Sequence, residues 1–305
     1  MNSSKAASIK GAVADFMATR GISIEMEQNL VKEAIHLHLL SALSDAGVLR
    51  HVVFQGGTAL RLCYGGERYS EDLDFVCGKA GSYVDEIDFV RLVREALETT
   101  KGSLQRDFDI DPDAITCRQP AHPMTIKSQS VSVAAWQIVV PIGPTPRSPR
   151  SRIKIECANV PSHDSGPSVA KVPLGLVHVQ DVILTAESAN EILADKAVAL
   201  TAREVLKFRD VWDVWYLVNR LNAQADRDIV TRKFADYGTL NIEAKAAQRC
   251  TELAKGSTAE SFLDEMRRFL PARRVAEMSD AGLHRAILVA SGDLLKRAVL
   301  PIALK

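Results

Sequence analysis

Two carboxylates alternate with apolar residues in Glu71-Asp72-Leu73-Asp74-Phe75-Val76-Cys77, and Gly56-Gly57-Thr58 lies a short way upstream, just after the apolar run His51-Val52-Val53-Phe54-Gln55. On a strand, alternation places Asp72 and Asp74 on one face and Leu73 and Phe75 on the other. Two like charges side by side on a half-buried strand are costly unless something positive offsets them. A hard divalent cation such as Mg²⁺, which prefers oxygen ligands, would do so. The stretch Arg152-Ile153-Lys154-Ile155-Glu156-Cys157 offers a third carboxylate, with Lys154 and Glu156 on one face and Ile153, Ile155 and Cys157 toward the core. Metals held by three such carboxylates clamp the attacking and leaving oxygens of phosphoryl transfer. At Gly56-Gly57-Thr58 the backbone can approach a phosphate closely, with helix N-terminal amides and a hydroxyl to receive it. Either feature alone is usually a turn or a surface edge. Their order, with a later strand carboxylate, is far more specific. The Walker pattern of a P-loop is absent.

The elements that must position these groups follow from periodicity. Residues 24–46 carry apolar side chains at helical spacing, with Gly47 as the stop. Residues 51–55 read as a strand, 58–65 as a short helix begun by Thr58, and 71–77 as the next strand. Residues 83–100 form an amphipathic helix. Residues 130–142 and 152–158 read as two strands of a hairpin joined by the Pro- and Arg-bearing loop 143–151. The character changes after about residue 175, and from Ser188 onward nearly everything is helical. Ser188-Ala189-Asn190-Glu191 has the form of a capping box. In the helix it opens, Ile192, Ala199 and Val205 suit a core face. Lys196 lies among Ile192, Leu193, Ala197 and Leu200, where a snorkelling lysine is the plain alternative to a functional one. In Phe208-Arg209-Asp210-Val211-Trp212-Asp213, Asp210 and Asp213 share a helix face and Arg209 reaches Asp213, so a structural ion pair is a fair reading. Trp212, Trp215 and Tyr216 are expected in the core. The fold class expected is α+β, with a mixed-sheet domain over residues 1–175 and a helical domain over 176–305.

Composition narrows the function classes. With 305 residues, 47% hydrophobic and 25% charged, the chain is long enough for two ordinary domains and reads as globular. Lys+Arg and Asp+Glu balance at 38 each, so any nucleic-acid surface must be local. Arg147, Arg150 and Arg152, and separately Arg267, Arg268, Arg273 and Arg274, are the candidates for one, although charged runs are usually solvated faces. No apolar run approaches the ~20 residues of a membrane span, and the N-terminal stretch has no signal-peptide core. The 5 cysteines, with no C-x-x-C pair, read as reduced cytosolic thiols. His36 and His38 read as ordinary helix residues rather than metal ligands.

The stretch Gly56 to Phe75, with Gly-Gly-Thr-Ala-Leu followed by Arg68-x-Ser70-x-Asp72-Leu-Asp74-Phe75, resembles the nucleotidyltransferase superfamily and, more narrowly, the AbiEii toxins that include the mycobacterial MenT proteins. Lys154-Ile-Glu156-Cys157, Glu191 to Leu200 and Arg209 to Leu217 extend the resemblance over most of residues 50–220. Thr58 stands where the superfamily often has Ser, and Glu156 where Asp is commoner.

That resemblance implies a nucleotidyltransferase-superfamily mixed-sheet domain followed by a helical domain that contributes to the nucleotide pocket. Asp72, Asp74 and Glu156 would bind Mg²⁺ or Mn²⁺, with Glu156 as third ligand or general base. Gly57 and Thr58 would hold the triphosphate of an NTP. Arg68, Ser70, Arg209 and Asp210 are further nucleotide-binding candidates. Lys196 would neutralise phosphate charge, and Asp213 would fix the nucleotide or orient Lys196. The implied partners are RNA, especially the 3′ end of tRNA, and a cognate antitoxin; the implied setting is the cytoplasm. A monomer is expected because strong oligomerisation patterning is lacking. Phosphorylation of Ser70 would put charge beside two carboxylates and disturb metal or triphosphate binding. Two other readings remain open: transfer to a protein or small-molecule hydroxyl, and a catalytically silent nucleotide-binding scaffold.

Overall fold

The computed structural model of the protein describes residues 8–78, 86–120, 131–143 and 148–300. Two helices come first, α1 (Ile9–Arg20) and α2 (Glu27–Asp45). They are followed by β1 (Val52–Gln55), α3 (Gly56–Cys63), β2 (Leu73–Cys77) and α4 (Glu86–Phe108). The strands β3 (Thr116–Arg118), β4 (Val133–Pro141), β5 (Arg150–Pro161), β6 (Ser165–Ala170) and β7 (Val182–Glu187) complete a mixed sheet. Its strand order is β3-β4-β5-β2-β1-β7-β6. β1 runs antiparallel to β2 and parallel to β7, and β4 and β5 form the expected hairpin, with Pro141 opposite Arg150. The remaining helices are α5 (Ala189–Ala202), α6 (Phe208–Arg220), α7 (Arg227–Asp236), α8 (Ile242–Leu253), α9 (Gly256–Met266), α10 (Ala272–Asp280) and α11 (Leu283–Leu294). The α+β class expected from the sequence is the one observed.

The chain divides into two compact units, one of Met1–Asn159 with Pro167–Ala186 and one of Val160–Gly166 with Glu187–Lys305. Residue 175, the division read from composition, falls inside the second stretch of the first unit. No helix among the described residues is long and apolar enough to cross a membrane.

In the first unit the sheet buries one face, because its strands alternate. Leu73, Phe75 and Cys77 of β2, Ala134, Trp136, Ile138 and Val140 of β4, and Ile153, Ile155 and Cys157 of β5 join one apolar core with α1, α2 and α4. Phe54 and Phe75 face each other across β1 and β2 with ring centroids 5.1 Å apart. Removing either ring would cost about 3–5 kcal/mol. The alternate positions, Asp74, Lys154 and Glu156, are half-buried or exposed. α2 is buried almost all round between Leu30 and Leu43, Glu33, His36 and His38 included, as suits a helix packed against α1, α4 and the sheet core.

Several boundaries differ from expectation. α3 begins at Gly56 rather than Thr58, and β2 begins at Leu73, so Asp72 stands just before the strand. α4 runs on to Phe108, and residues 83–85 of its expected start lie outside the described residues, as does Arg147. Val205 is 66% exposed rather than in the core, because α5 has ended at Ala202; Ala199 is only half-buried. The capping box is split. Ser188 Oγ accepts the Glu191 amide at 3.1 Å, but the Glu191 carboxylate accepts from Ser162 Oγ and the amides of His163 and Asp164 instead of its own helix start. His36 and His38, expected as ordinary helix residues, are both fully enclosed.

Candidate active site

β1 ends in a turn whose two glycines answer different demands. Gly56 has φ +77°, and a Cβ there would stand 2.8 Å from Asp74 Oδ2, which lies opposite Gln55 in the β1–β2 ladder. A side chain at this position would be strained and would also collide with the carboxylate. A Cβ on Gly57 would stand 2.3 Å from Arg68 Nη2 and 2.9 Å from Ser70 Oγ. The missing side chain at Gly57 is therefore the space these two groups use. Arg68 is 4% exposed, and its Nη1 donates to the Tyr69 carbonyl at 3.0 Å. Thr58 is buried, and its Oγ1 donates to the Asp72 carbonyl at 2.5 Å. That bond ties the start of α3 to the turn entering β2.

Asp72 Oδ1 accepts the Lys154 amide at 3.2 Å, which joins the residue before β2 to β5. Burial raises the Asp72 pKa; the Lys154 amide opposes this, and the charges of Glu156 and Glu71 raise it further. Glu156 pairs with Lys154 Nζ at 3.3 Å. Asp74 shares this polar face of β2, while Leu73 and Phe75 lie in the core. The structure thus brings Gly57, Thr58, Arg68, Ser70, Asp72, Asp74 and Glu156 into one neighbourhood of the first unit, in which Asp72 and Glu156 repel each other.

A divalent cation would relieve that repulsion, and the donors are hard oxygens. Among the described residues no three His, Cys, Asp or Glu side chains form a ready cage. A partial set of carboxylates fits Mg²⁺, which keeps waters and takes substrate phosphate oxygens to complete its shell. The residues present therefore fit a cation that arrives with the triphosphate.

In the second unit, Lys196 Nζ on α5 lies 2.8 Å from both Asp210 Oδ1 and Asp213 Oδ2 on α6. The i,i+3 spacing of the aspartates makes this possible. Arg203 also bonds Asp210. Burial alone would raise the Asp210 pKa, but Lys196 and then Arg203 hold it below the usual carboxylate value. The Arg209 guanidinium lies 5.8 Å from the Phe269 ring centroid. Trp212, Trp215 and Tyr216 are buried as expected. Arg150 and Arg152 are exposed. Arg267 is paired with Asp264, and both Arg273 and Arg274 with Glu277, so much of that basic cluster is matched by acids.

Two buried ionic clusters escaped the sequence reading. Lys233 on α7 is enclosed by Glu187, Glu191 and Asp195, at 2.8, 2.7 and 3.1 Å. Glu187 ends β7, and Glu191 and Asp195 stand one turn apart on α5, but nothing local marks Lys233 as their partner. Arg61 of α3 pairs with Glu33 of α2, and there too the partners are far apart in sequence.

Residues 38–287 match the family described as "Nucleotidyl transferase AbiEii toxin, Type IV TA system". The chain belongs to this AbiEii family of toxins and is a transferase. Among solved structures it is similar to a candidate nucleotidyltransferase from H. pylori, at 17% identity and TM-score 0.48, over 91% of this chain and 98% of that one. It is similar also to JHP933 from Helicobacter pylori, at 17% identity and TM-score 0.48, over 93% and 96%. No curated protein matches the chain in sequence.

Proposed function

We propose that this chain moves a nucleoside monophosphate from an NTP to the 3′-hydroxyl of an RNA, the acceptor end of tRNA, and so blocks aminoacylation and translation. The acceptor oxygen forms a bond to the α-phosphorus, the bond to the β-phosphate bridging oxygen breaks, and pyrophosphate leaves. The observation that carries this reading is the polar ledge of Asp72, Asp74 and Glu156 beside a glycine turn that only glycine fits. Asp72, Asp74 and Glu156 are assigned to hold Mg²⁺ or Mn²⁺. When bound, that ion would polarise the phosphoryl group and neutralise developing charge. Glu156, as third ligand or general base, would take the acceptor proton. The Gly57 backbone and Arg68 receive the triphosphate, with Ser70 beside them. Lys196 is assigned to neutralise phosphate charge, Asp213 to orient Lys196, and Arg209 and Asp210 to nucleotide binding. As a toxin the chain would act in the cytoplasm, as a monomer, under a cognate antitoxin.

One observation favours a different acceptor. The chain has no net charge, and Arg267, Arg273 and Arg274 are paired with acids. A protein or small-molecule hydroxyl would need no basic groove. The test uses purified protein, Mg²⁺, each labelled NTP in turn and total bacterial tRNA, with Asp72→Ala as control. Label on tRNA that disappears in the variant is the expected result. Label on protein alone moves the acceptor to the second reading, and no label with any NTP overturns the transfer reading.

A further inference from the structure

We propose that Glu33 and Arg61 are positioning residues for the triphosphate cradle: together they clamp the turn from Gly66 to Tyr69 and thereby set where Arg68 and Ser70 stand over Gly57. The inference rests on the reading of Gly57 and Arg68 as the phosphate-receiving elements.

Arg61 uses nearly every donor it has. Its Nε donates to Glu33 Oε2 at 2.7 Å and its Nη2 to Glu33 Oε1 at 3.3 Å, a forked pairing with one carboxylate. Its Nη1 donates to the carbonyls of Gly66 at 3.0 Å and Glu67 at 3.4 Å. The same guanidinium lies 4.3 Å from the Tyr69 ring centroid. One side chain thus holds three residues of a turn that has no regular secondary structure. The far end is held separately, by Lys32 Nζ on Glu71 Oε1 at 2.8 Å and by the His36 ring on the Glu71 carbonyl at 3.0 Å. Lys32, Glu33 and His36 all lie on α2, so the turn is pinned to one rigid helix. Between the two anchors lie Arg68 and Ser70, the groups that fill the space over Gly57.

A buried ion pair is weak evidence for stability, since an apolar pair of similar volume often serves as well or better. What an apolar pair cannot supply is direction. A planar fork fixes two carbonyls and a carboxylate in one geometry, and lysine, a point charge, cannot replace it. Neither Glu33 nor Arg61 needs to touch the nucleotide for this role.

The experiment compares wild type, Arg61→Lys and Glu33→Gln as full chains, with folding followed by circular dichroism and thermal melting. Steady-state transfer gives kcat and the NTP KM. Equilibrium binding of a nonhydrolysable NTP analogue with Mg²⁺ gives affinity without turnover. Arg61→Lys should stay folded and raise the NTP KM and the analogue Kd about tenfold, while kcat changes less than threefold. Glu33→Gln, which keeps one acceptor oxygen, should show a smaller shift in the same direction. A lower kcat at unchanged KM in either variant overturns the proposal, as does a loss wholly explained by unfolded protein. Should Arg61→Lys not fold, Glu33→Gln alone decides by the same split. Wild-type protein that binds no NTP analogue would remove the phosphate-cradle reading itself, a different failure from variants that bind like wild type.

Discussion

Two buried lysines of the helical unit invite comparison. Lys196 sits between Asp210 and Asp213, and Arg203 shares Asp210, so two cations meet two carboxylates. Lys233 faces three carboxylates; burial, then Asp195, pushes the Glu187 pKa well up, while Lys233 and the Ser162 and His163 hydrogen bonds hold the Glu191 pKa down against burial. The Lys196 side chain keeps 10% exposure and the Lys233 side chain none. A lysine at the edge of water, beside an aspartate whose pKa is held low, can trade a carboxylate for a phosphate. A lysine sealed among three carboxylates cannot. On the proposed function, the same residue type serves chemistry in one cluster and architecture in the other.

Substitution should separate the two most sharply. Lys233→Met strips the lysine from among the buried Glu187 and Glu191 and the partly exposed Asp195, and breaking a buried pair in this way costs about 3–5 kcal/mol. Denaturant unfolding should show that loss, with transfer activity per folded molecule near normal. Lys196→Met leaves Arg203 on Asp210, so it should destabilise less while reducing transfer far more. Equal destabilisation by the two, or an activity loss in Lys233→Met beyond its folded fraction, would end the distinction.

A contrast of similar kind sets the helical unit's paired charges against the histidines of α2. His36 and His38 are enclosed as neutral rings, and burial lowers both pKa values to about 4 from 6.5. For His38 the neighbouring Asp107 works against burial, and Arg106 and His178 work with it. For His36 the opposing groups are the Glu71 carbonyl and carboxylate, and Lys32 adds to the lowering. Because the folded values lie below the unfolded one, the unfolded chain binds protons first as pH falls. The stability from keeping these rings neutral is complete above about pH 6.5. It drains away as pH falls toward 4, by roughly 2–3 kcal/mol for each ring. Denaturant midpoints measured from pH 7.5 to 4.5 should fall along this window, and His36→Gln, which preserves a donor to the Glu71 carbonyl, should flatten the fall. An unchanged slope in that variant would mean that other groups govern the acid response.

The site's outline was legible in the sequence because its chemistry is local. Period-two alternation placed Asp74 opposite the core side of β2 and Glu156 opposite that of β5, and the i,i+3 spacing put Asp210 and Asp213 on one face. What the sequence withheld depends on contacts between distant segments. Arg61 finds Glu33 across 28 residues, and Lys233 finds Glu187 across 46. No spacing rule reaches that far, and only the packing of α2 on the sheet and of α7 on α5 creates those pairs. The exposed Val205 was misplaced for a simpler reason: apolar periodicity continued past Ala202, where the helix stops.

Thr58 offers the smallest and most discriminating test. Read from sequence, its hydroxyl belongs to the triphosphate; in the structure it donates to the Asp72 carbonyl. Thr58→Val keeps the shape and removes the donor, at a stability cost of about 1 kcal/mol. With the tether gone, the Asp72 carboxylate loses its fixed approach. Activity at saturating NTP should then need more Mg²⁺ for half-maximal rate, by a factor of a few, while the NTP KM at saturating Mg²⁺ stays near wild type. The reverse pattern, a raised NTP KM with an unmoved Mg²⁺ requirement, would return the hydroxyl to the phosphate and make the Asp72 contact a resting arrangement that the substrate displaces.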